Sequence, residues 1–573
     1  MKRTWLKFLL PLGAAALLTL LGWQPLRRQM ERCTGEQALV EQVKGVGALA
    51  LLRLTHRPPE TAPYAPVRHV GLSPYGVNTF FEQEADPAQV DRAMGMIRAA
   101  GITWIRQQFP WEDIEIAAKG DFWDHRWDRD AWEKYDTIVA LAEQHGLEII
   151  ARLDNPPAWS RAVGNAEGWS LAPPDNLDDY GDFVAAVVGR YRGRIRYYQV
   201  WNEPNIYPEW GDQPADPAGY VALLQTAYTR AKAVDPDCVI IAAGLAQTTE
   251  ETPWEYGPRN VSDLLYLEEM YRAGAQGYFD VMGAMVYGLW TGPNDQRVSR
   301  DRSNFARVQL LREIMVRHGD AAVPIWATEV GWSALPADWQ GAAPYGRVTA
   351  AQQAQYAVQA YARAGRDWPW VGVMNYWFWR RPNESEREQA WYYFRMVEPD
   401  WTTLPVYAAI EEYAAQPPVL QRGFHQEDHH ALHYGGQWAL LADEQAVLGG
   451  VARLEQGAQV TFSYQGAGLS LKLGDAASAE RFTLLVDGRA RRLGRSETVP
   501  DTTITAQRVL RATRRGLHSV TLAATGGPVL LDGIIVYSEP ARWPWLLAGL
   551  LVGLLVGLWV AWRLVRRRRR ASP

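Results

Sequence analysis

Between His69 and Ala415 the chain alternates short β-branched or aromatic runs with longer amphipathic ones, eight times in succession. A strand followed by a crossover helix returns parallel to its neighbour with right-handed chirality, so eight such units have one regular solution: a parallel sheet closed on itself inside a ring of helices. The apolar runs predict strands at Val70–Val77, Ile102–Gln107, Glu148–Leu153, Arg196–Trp201, Val239–Ala243, Val281–Tyr287, Ile325–Thr328 and Val371–Trp377. The segments between and after them predict helices at Ala88–Ala100, Ala131–Gln144, Leu177–Arg190, Tyr220–Ala233, Ser262–Ala273, Asn304–Arg317, Ala350–Arg363 and Val406–Ala415. The expected fold class is α/β, a (β/α)8 TIM barrel over residues 67–418.

At 573 residues the chain exceeds what one core holds, and a second domain is expected. After Pro417-Pro418 the helical period stops. Alternating runs at Gln459–Tyr464, Leu469–Leu473, Arg481–Val486, His518–Leu522 and Val529–Val536, separated by Gly-rich turns, predict an all-β, jelly-roll-like sandwich over residues 419–540.

Both ends of the chain are apolar. Trp543–Trp562 carries no charge and is long enough to cross a hydrocarbon core of roughly 30 Å as a helix, with tryptophans at both ends and Arg566–Arg570 beyond as the cytoplasmic flank of residues 563–573. At the other end Lys2, Arg3 and Lys7 lead into Leu6–Trp23, which reads as an export segment over residues 1–27, a signal anchor or a signal peptide; no small-x-small site closes it and Arg27 and Arg28 follow it, which favours the anchor. Residues 28–66, with Pro58, Pro59, Pro63 and Pro66, read as a stalk. The expected setting is a cell membrane with the body of the chain extracytoplasmic and lipid as a partner. Gly549, Gly553 and Gly557 recur every fourth residue and would give one smooth stripe for self-association. A net charge of −5 offers no basic field for nucleic acid, which is not expected as a partner. The two cysteines, Cys33 and Cys238, make no disulfide framework.

The chemistry sits in two short settings: Val200-Trp201-Asn202-Glu203-Pro204-Asn205 on the fourth strand and Ile325-Trp326-Ala327-Thr328-Glu329-Val330-Gly331-Trp332 on the seventh. Each glutamate is delivered to the C-terminal end of a strand, the end at which parallel α/β barrels place their chemistry. This pattern resembles clan A of the glycoside hydrolases, in particular its cellulase-like and xylosidase/iduronidase-like members, over the barrel alone. The resemblance implies that Glu203 is the acid/base, Glu329 the nucleophile and Asn202 a binder of the sugar 2-hydroxyl. It also implies that Arg106 flanks the nucleophile, that Tyr287 hydrogen-bonds it and that Trp377 is a sugar platform. Met285 stands where many relatives carry histidine two residues before the strand-six tyrosine. Gly516-Leu517-His518-Ser519-Val520 and Leu531-Asp532-Gly533-Ile534 look like strands of galactose-binding-like modules, so the sandwich is expected either to bind glycan or to act as a spacer.

The implied activity is retaining hydrolysis of a β-linked poly- or oligosaccharide, with a transglycosidase or a non-catalytic surface glycan-binding protein as the alternatives. Two carboxylates about 5 to 5.5 Å apart serve such a reaction, one attacking the anomeric carbon and one protonating the leaving oxygen. Trp111, Trp159, Trp210, Trp290, Trp332 and Trp379 fall in loops on the same side and serve either as sugar platforms or as core. Asp154 and Asn155, after strand three, can bind hydroxyls or cap their loop. His425, His429, His430 and His433 cluster in the connection to the sandwich, at a spacing that matches no zinc pattern. No metal and no cofactor are expected.

Overall fold

The computed structural model describes residues 24–161, 171–252 and 257–538. The chain divides into two compact units, residues 1–62 with 67–417, and residues 63–66 with 418–573. In the first unit eight parallel strands run β1 Tyr75–Thr79, β2 Trp104–Pro110, β3 Glu148–Asp154, β4 Tyr197–Val200, β5 Val239–Ala242, β6 Met282–Met285, β7 Ile325–Val330 and β8 Val371–Tyr376. Their order is β5-β4-β3-β2-β1-β8-β7-β6, and the remaining seam between β5 and β6 is closed by isolated parallel bridges, Ile241 with Val281 and Leu245 with Ala284. The sheet is therefore a closed barrel. The first strand begins at Tyr75 rather than Val70. Gly71 and Pro74 interrupt the apolar run there, and the Ser73 carbonyl accepts instead from the Trp104 indole at 2.9 Å.

Period-two alternation fills the barrel from the bottom. Trp104, Tyr197 and Trp326 meet as an aromatic plug, with ring centroids 4.9 to 5.4 Å apart. Two residues further along, the same inward faces carry Arg106 and Gln199, with Asn78 from β1 beside them, so a buried polar layer rests on the plug. Outward faces pack on the helices. Helix Leu177–Arg190, for example, buries Tyr180, Phe183, Val184 and Val187, starts on an Asn176 side chain that accepts from the Asp178 amide, and carries Asp178 and Asp179 in its first turn, where the dipole favours them.

The segment read as a stalk is instead structured over much of its length. Leu39–Thr55 forms a helix, α1, whose inner face buries Gln42, Gly45 and Leu49. A buried ion cluster explains why this stretch does not run free: the Arg297 guanidinium bonds Asp295 at 2.8 Å, Glu36 at 2.7 Å and the Thr34 carbonyl at 2.9 Å. Gly45 permits the close approach, because a Cβ there would lie 2.8 Å from the Thr34 methyl.

The second unit is a ten-stranded antiparallel sheet. Two of the expected strands merge into one, Gln459–Leu473, and His518–Leu522 is part of a longer strand, Thr505–Ala524. The glycines that suggested a turn serve as a bend: the pairing of these two strands shifts register between Gly466 and Gly468, and a Cβ on Gly466 would lie 2.8 Å from the Tyr537 carbonyl. The long strands curl around a core that includes Val460, Leu469, Leu471, Leu522 and Ile534. The His425 Nε2–H donates to the Gln421 carbonyl at 2.8 Å, and burial drives its pKa down to about 4. His429 stacks on His430, and burial likewise lowers its pKa. Among the described residues no group of three or more His, Cys, Asp or Glu is arranged to hold a metal ion.

Among the described residues no helix is long and apolar enough to cross a membrane. The two expected spans, Leu6–Trp23 and Trp543–Trp562, and with them Gly549, Gly553 and Gly557, lie outside the described residues.

Candidate active site

Strict alternation would point Glu329 away from the barrel axis, since Trp326 and Thr328 of the same strand face inward. The pairing of β7 with both neighbours corrects this: against β6 the register runs Ala284 with Ala327 and then Met285 with Glu329, and against β8 it shifts between Met374 and Tyr376. The bulge absorbs one residue and turns Glu329 inward, a use of bulges common beside active sites. Gly244 makes room for it, because a Cβ there would sit 2.1 Å from the Thr328 hydroxyl.

At the end of β4 the same inversion is achieved by backbone conformation. Trp201 and Glu203 both adopt left-handed φ, +70° and +42°, which costs of order 1–3 kcal/mol each for residues with a Cβ. The first flip sends the Trp201 indole outward, against Tyr180 and Trp210, where its N–H reaches the Glu209 carbonyl at 2.8 Å. Asn202 is thereby turned toward the barrel mouth. The Glu203 amide donates to the Gly244 carbonyl at 3.1 Å, which fixes the second flip.

Arg106 joins the two glutamate settings. Its guanidinium, 2% exposed, donates to Gln199 Oε1, Asn78 Oδ1 and Asn202 Oδ1, each at 2.7 Å, and to Glu329 Oε1 at 3.0 Å. Because the Asn202 oxygen is occupied in this way and its amide also bonds the Glu209 carboxyl, one amide N–H is the donor left for the cleft. The second Glu329 oxygen accepts from the Tyr287 hydroxyl. Tyr287 lies just beyond β6, held by its amide on Gln247 Oε1 at 3.1 Å. Trp377 follows β8 directly, half-buried, with its ring edge-on to Phe80 at 5.4 Å.

The carboxyl of Glu203 is pushed well above the usual carboxylate range, first by burial and then by the negative charge of Glu329, with Glu209 contributing. Glu209 itself is raised to about 7, chiefly by burial, while Arg152 opposes the shift. Tyr345 rises too, through burial and the charges of Glu203 and Glu329. These groups open into a cleft of roughly 850 Å3 whose lining includes Glu203, Tyr287, Trp290, Tyr345 and Tyr207, and, from α1, Ala48, Leu51 and Leu52.

The six residues singled out from the sequence thus end around one barrel mouth, and Arg106, Asn202, Tyr287 and Glu329 are joined by direct hydrogen bonds. Four of the six loop tryptophans, Trp111, Trp210, Trp332 and Trp379, are core residues at 4% exposure or less. Trp111 stacks on Phe183 at 5.3 Å and the Trp332 indole donates to the Thr291 carbonyl at 2.9 Å. Trp290, 62% exposed, stands on the cleft wall. Asp154 pairs with Arg152 at 2.8 Å and accepts from Gln108 at 2.8 Å, which commits it to the local network. Sequence reasoning passed over Asn78, Gln199 and Glu209. The first two carried a signal, a polar side chain at an inward strand position, whereas Glu209 lies in a loop with no periodicity to mark it.

Fold and site together define a closed (β/α)8 barrel whose C-terminal mouth holds two glutamates over a buried arginine. No protein-family model matches the chain, and no curated protein matches it in sequence. Solved structures to which it is similar include a family 39 glycoside hydrolase from Bacteroides cellulosilyticus, at 18% identity over 81% of this chain and 80% of that one with a TM-score of 0.43. A monomeric β-xylosidase from Caulobacter crescentus is 15% identical over 81% of this chain and 99% of its own, TM-score 0.42. A glucosidase from Croceicoccus marinus is 13% identical over 83% and 98%, TM-score 0.44.

Proposed function

We propose that the chain is a membrane-anchored retaining glycoside hydrolase that cleaves a β-linked poly- or oligosaccharide by double displacement. The observation that carries this reading is the unequal treatment of two carboxyl groups at one barrel mouth. Glu329 accepts from a guanidinium and a phenol, while burial and the charge of Glu329 favour the protonated form of Glu203. A carboxyl held protonated beside one that accepts from a cation and a phenol gives the site an acid and a nucleophile.

In the first step a Glu329 oxygen attacks the anomeric carbon as the bond to the leaving oxygen breaks, and the Glu203 proton passes to that oxygen. An ester to Glu329 results and the negative charge that held the Glu203 proton is gone. Glu203, now ionised, takes a proton from water as the water oxygen attacks the same carbon and the ester bond breaks. The Asn202 amide donates to the sugar 2-hydroxyl, a bond that strengthens as charge develops at the ring. Anchoring by Leu6–Trp23 and Trp543–Trp562 would keep this chemistry at a cell surface, on the extracytoplasmic side. Incubation with activated 2-fluoro glycosides across a sugar panel, followed by peptide mass mapping, tests the mechanism. A covalent adduct on Glu329 that is lost in Glu329→Gln supports it, and an adduct elsewhere, or turnover with inversion, removes it. Flotation of the full chain with lipid vesicles tests the anchoring.

A further inference from the structure

Helix α1 presents an apolar face that none of the described residues of its unit covers. Val40, Val43, Val46, Ala50, Leu51 and Leu54 are all exposed, Leu54 at 85% and Val40 at 63%. At 3.6 residues per turn these positions, with Gly47, fill a continuous arc of roughly 140° free of charge. Lys44 borders the arc on one side and Arg53 on the other. The opposite face, Gln42, Gly45 and Leu49, is the one buried against the barrel. A helix this short needs no apolar outer face to stay folded, since Arg297, Gln37 and Arg53 already bind its ends to the barrel unit. Contiguous exposed apolar surface of this kind marks a contact site.

We infer that α1 is an interfacial helix that lays this face into the headgroup boundary of an anionic lipid bilayer, and so sets the mouth of the cleft against the membrane. Three observations choose lipid over a second copy of the chain. The arc is wider than the narrow seam of a two-helix coiled coil, and small residues, Gly47 and Ala50, stand where knobs would be needed. Cations flank both edges, as in helices that lie in a membrane plane with their charges at phosphate level. From Gln24 to Arg57 six Arg and Lys side chains face three Glu, in a chain whose overall charge is −5. The apolar run Leu6–Trp23 also ends just before this stretch, which would bring α1 within reach of the same bilayer. Leu51 and Leu52 of α1 also line the cleft that holds Glu203, so docking here would present the site to glycan that is itself at the lipid surface. The inference rests on the anchored reading above and adds a second, peripheral contact to it.

The test uses the full chain in vesicles of phosphatidylcholine with or without phosphatidylglycerol. In a Cys33→Ser, Cys238→Ala background, an environment-sensitive fluorophore is attached at Leu54→Cys, at Val43→Cys or, on the flank of the same helix, at Glu41→Cys. Expected are a blue shift and several-fold quenching by doxyl lipids at positions 54 and 43, little change at 41, and a larger response with phosphatidylglycerol. Chain that floats with the vesicles while all three labels stay in water overturns the inference and leaves the anchoring intact. Label self-quenching at 43 that grows with protein density and is indifferent to doxyl lipid assigns the face to a second copy, and overturns it as well. Chain that fails to float removes the anchoring and this inference together.

Discussion

Replacing Arg106 separates the charge of the site from its geometry. Four buried acceptors converge on the guanidinium at 2.7 to 3.0 Å: Asn78, Gln199, Asn202 and Glu329. In Arg106→Lys the positive charge stays, but a point ammonium with three N–H groups replaces a planar fork with five, and at least one of the four acceptors loses its partner. A buried acceptor left without a donor costs about 1–3 kcal/mol, so the lysine variant should lose at least about 1–3 kcal/mol of stability. Arg106→Met also strips the cation from Glu329, which adds about 3–5 kcal/mol for an unpaired buried charge and approaches the whole of a typical stability of about 5–15 kcal/mol. Lysine is therefore the variant to assay. Asn202 would lose the bond that fixes its amide orientation, and a loss of about 3 kcal/mol in the transition state is roughly a hundredfold in kcat. Urea midpoints and kcat on any aryl glycoside the wild type turns over measure the two effects side by side. A lysine variant with an unchanged midpoint and kcat within about twofold of wild type would refute the view that this hub holds the site, since one lost bond at about 1 kcal/mol is already roughly fivefold.

Glu203→Ala should abolish turnover of unactivated glycosides but keep the first step on aryl glycosides with good leaving groups, and added azide should yield a glycosyl azide of retained configuration, read by NMR. Glu209 is raised from the ordinary carboxylate value to about 7, so in the folded state its ionised form is disfavoured and stability is lost as pH rises from about 4.5 through 7. Glu209→Gln removes that loss: its melting temperature relative to wild type should rise between pH 4 and pH 8, by an equivalent of at most about 3 kcal/mol. Trp290→Ala, at an exposed cleft position, should leave the melting temperature within a degree or two and raise KM by up to about tenfold, as expected for losing a stacking contact of about 0.5–1.5 kcal/mol.

The barrel could be read because each unit pairs a period-two run with a period-3.6 one, and the closed order needs nothing further. Glu203 and Glu329 were legible as residues at strand ends, but their aim was not. Parity along Ile325–Val330 sends Glu329 outward, and only the bulge, a property of three strands in register, turns it in. The left-handed turns at Trp201 and Glu203 are equally invisible, since neither residue type favours that conformation and the compensation comes from Gly244, far along the chain. Residues 28–66 carry the prolines of a stalk, and nothing local in that stretch announces Arg297, which gathers Glu36 and Thr34 from a distance of more than two hundred residues. In the second unit the long strand Gln459–Leu473 reads as two for a related reason: a glycine that bends a strand and one that ends it look alike in one dimension.

The Arg297 cluster also sets a working radius. Residues 24–34 are helical, and Glu36 and Thr34 are clamped to the barrel unit directly after them. At 1.5 Å per residue the described helical residues 24–34 span about 17 Å. With Leu6–Trp23 in a bilayer, as proposed above, this clamp leaves little slack between residue 24 and the barrel unit, so the cleft would move with its anchor rather than swing on a long stalk.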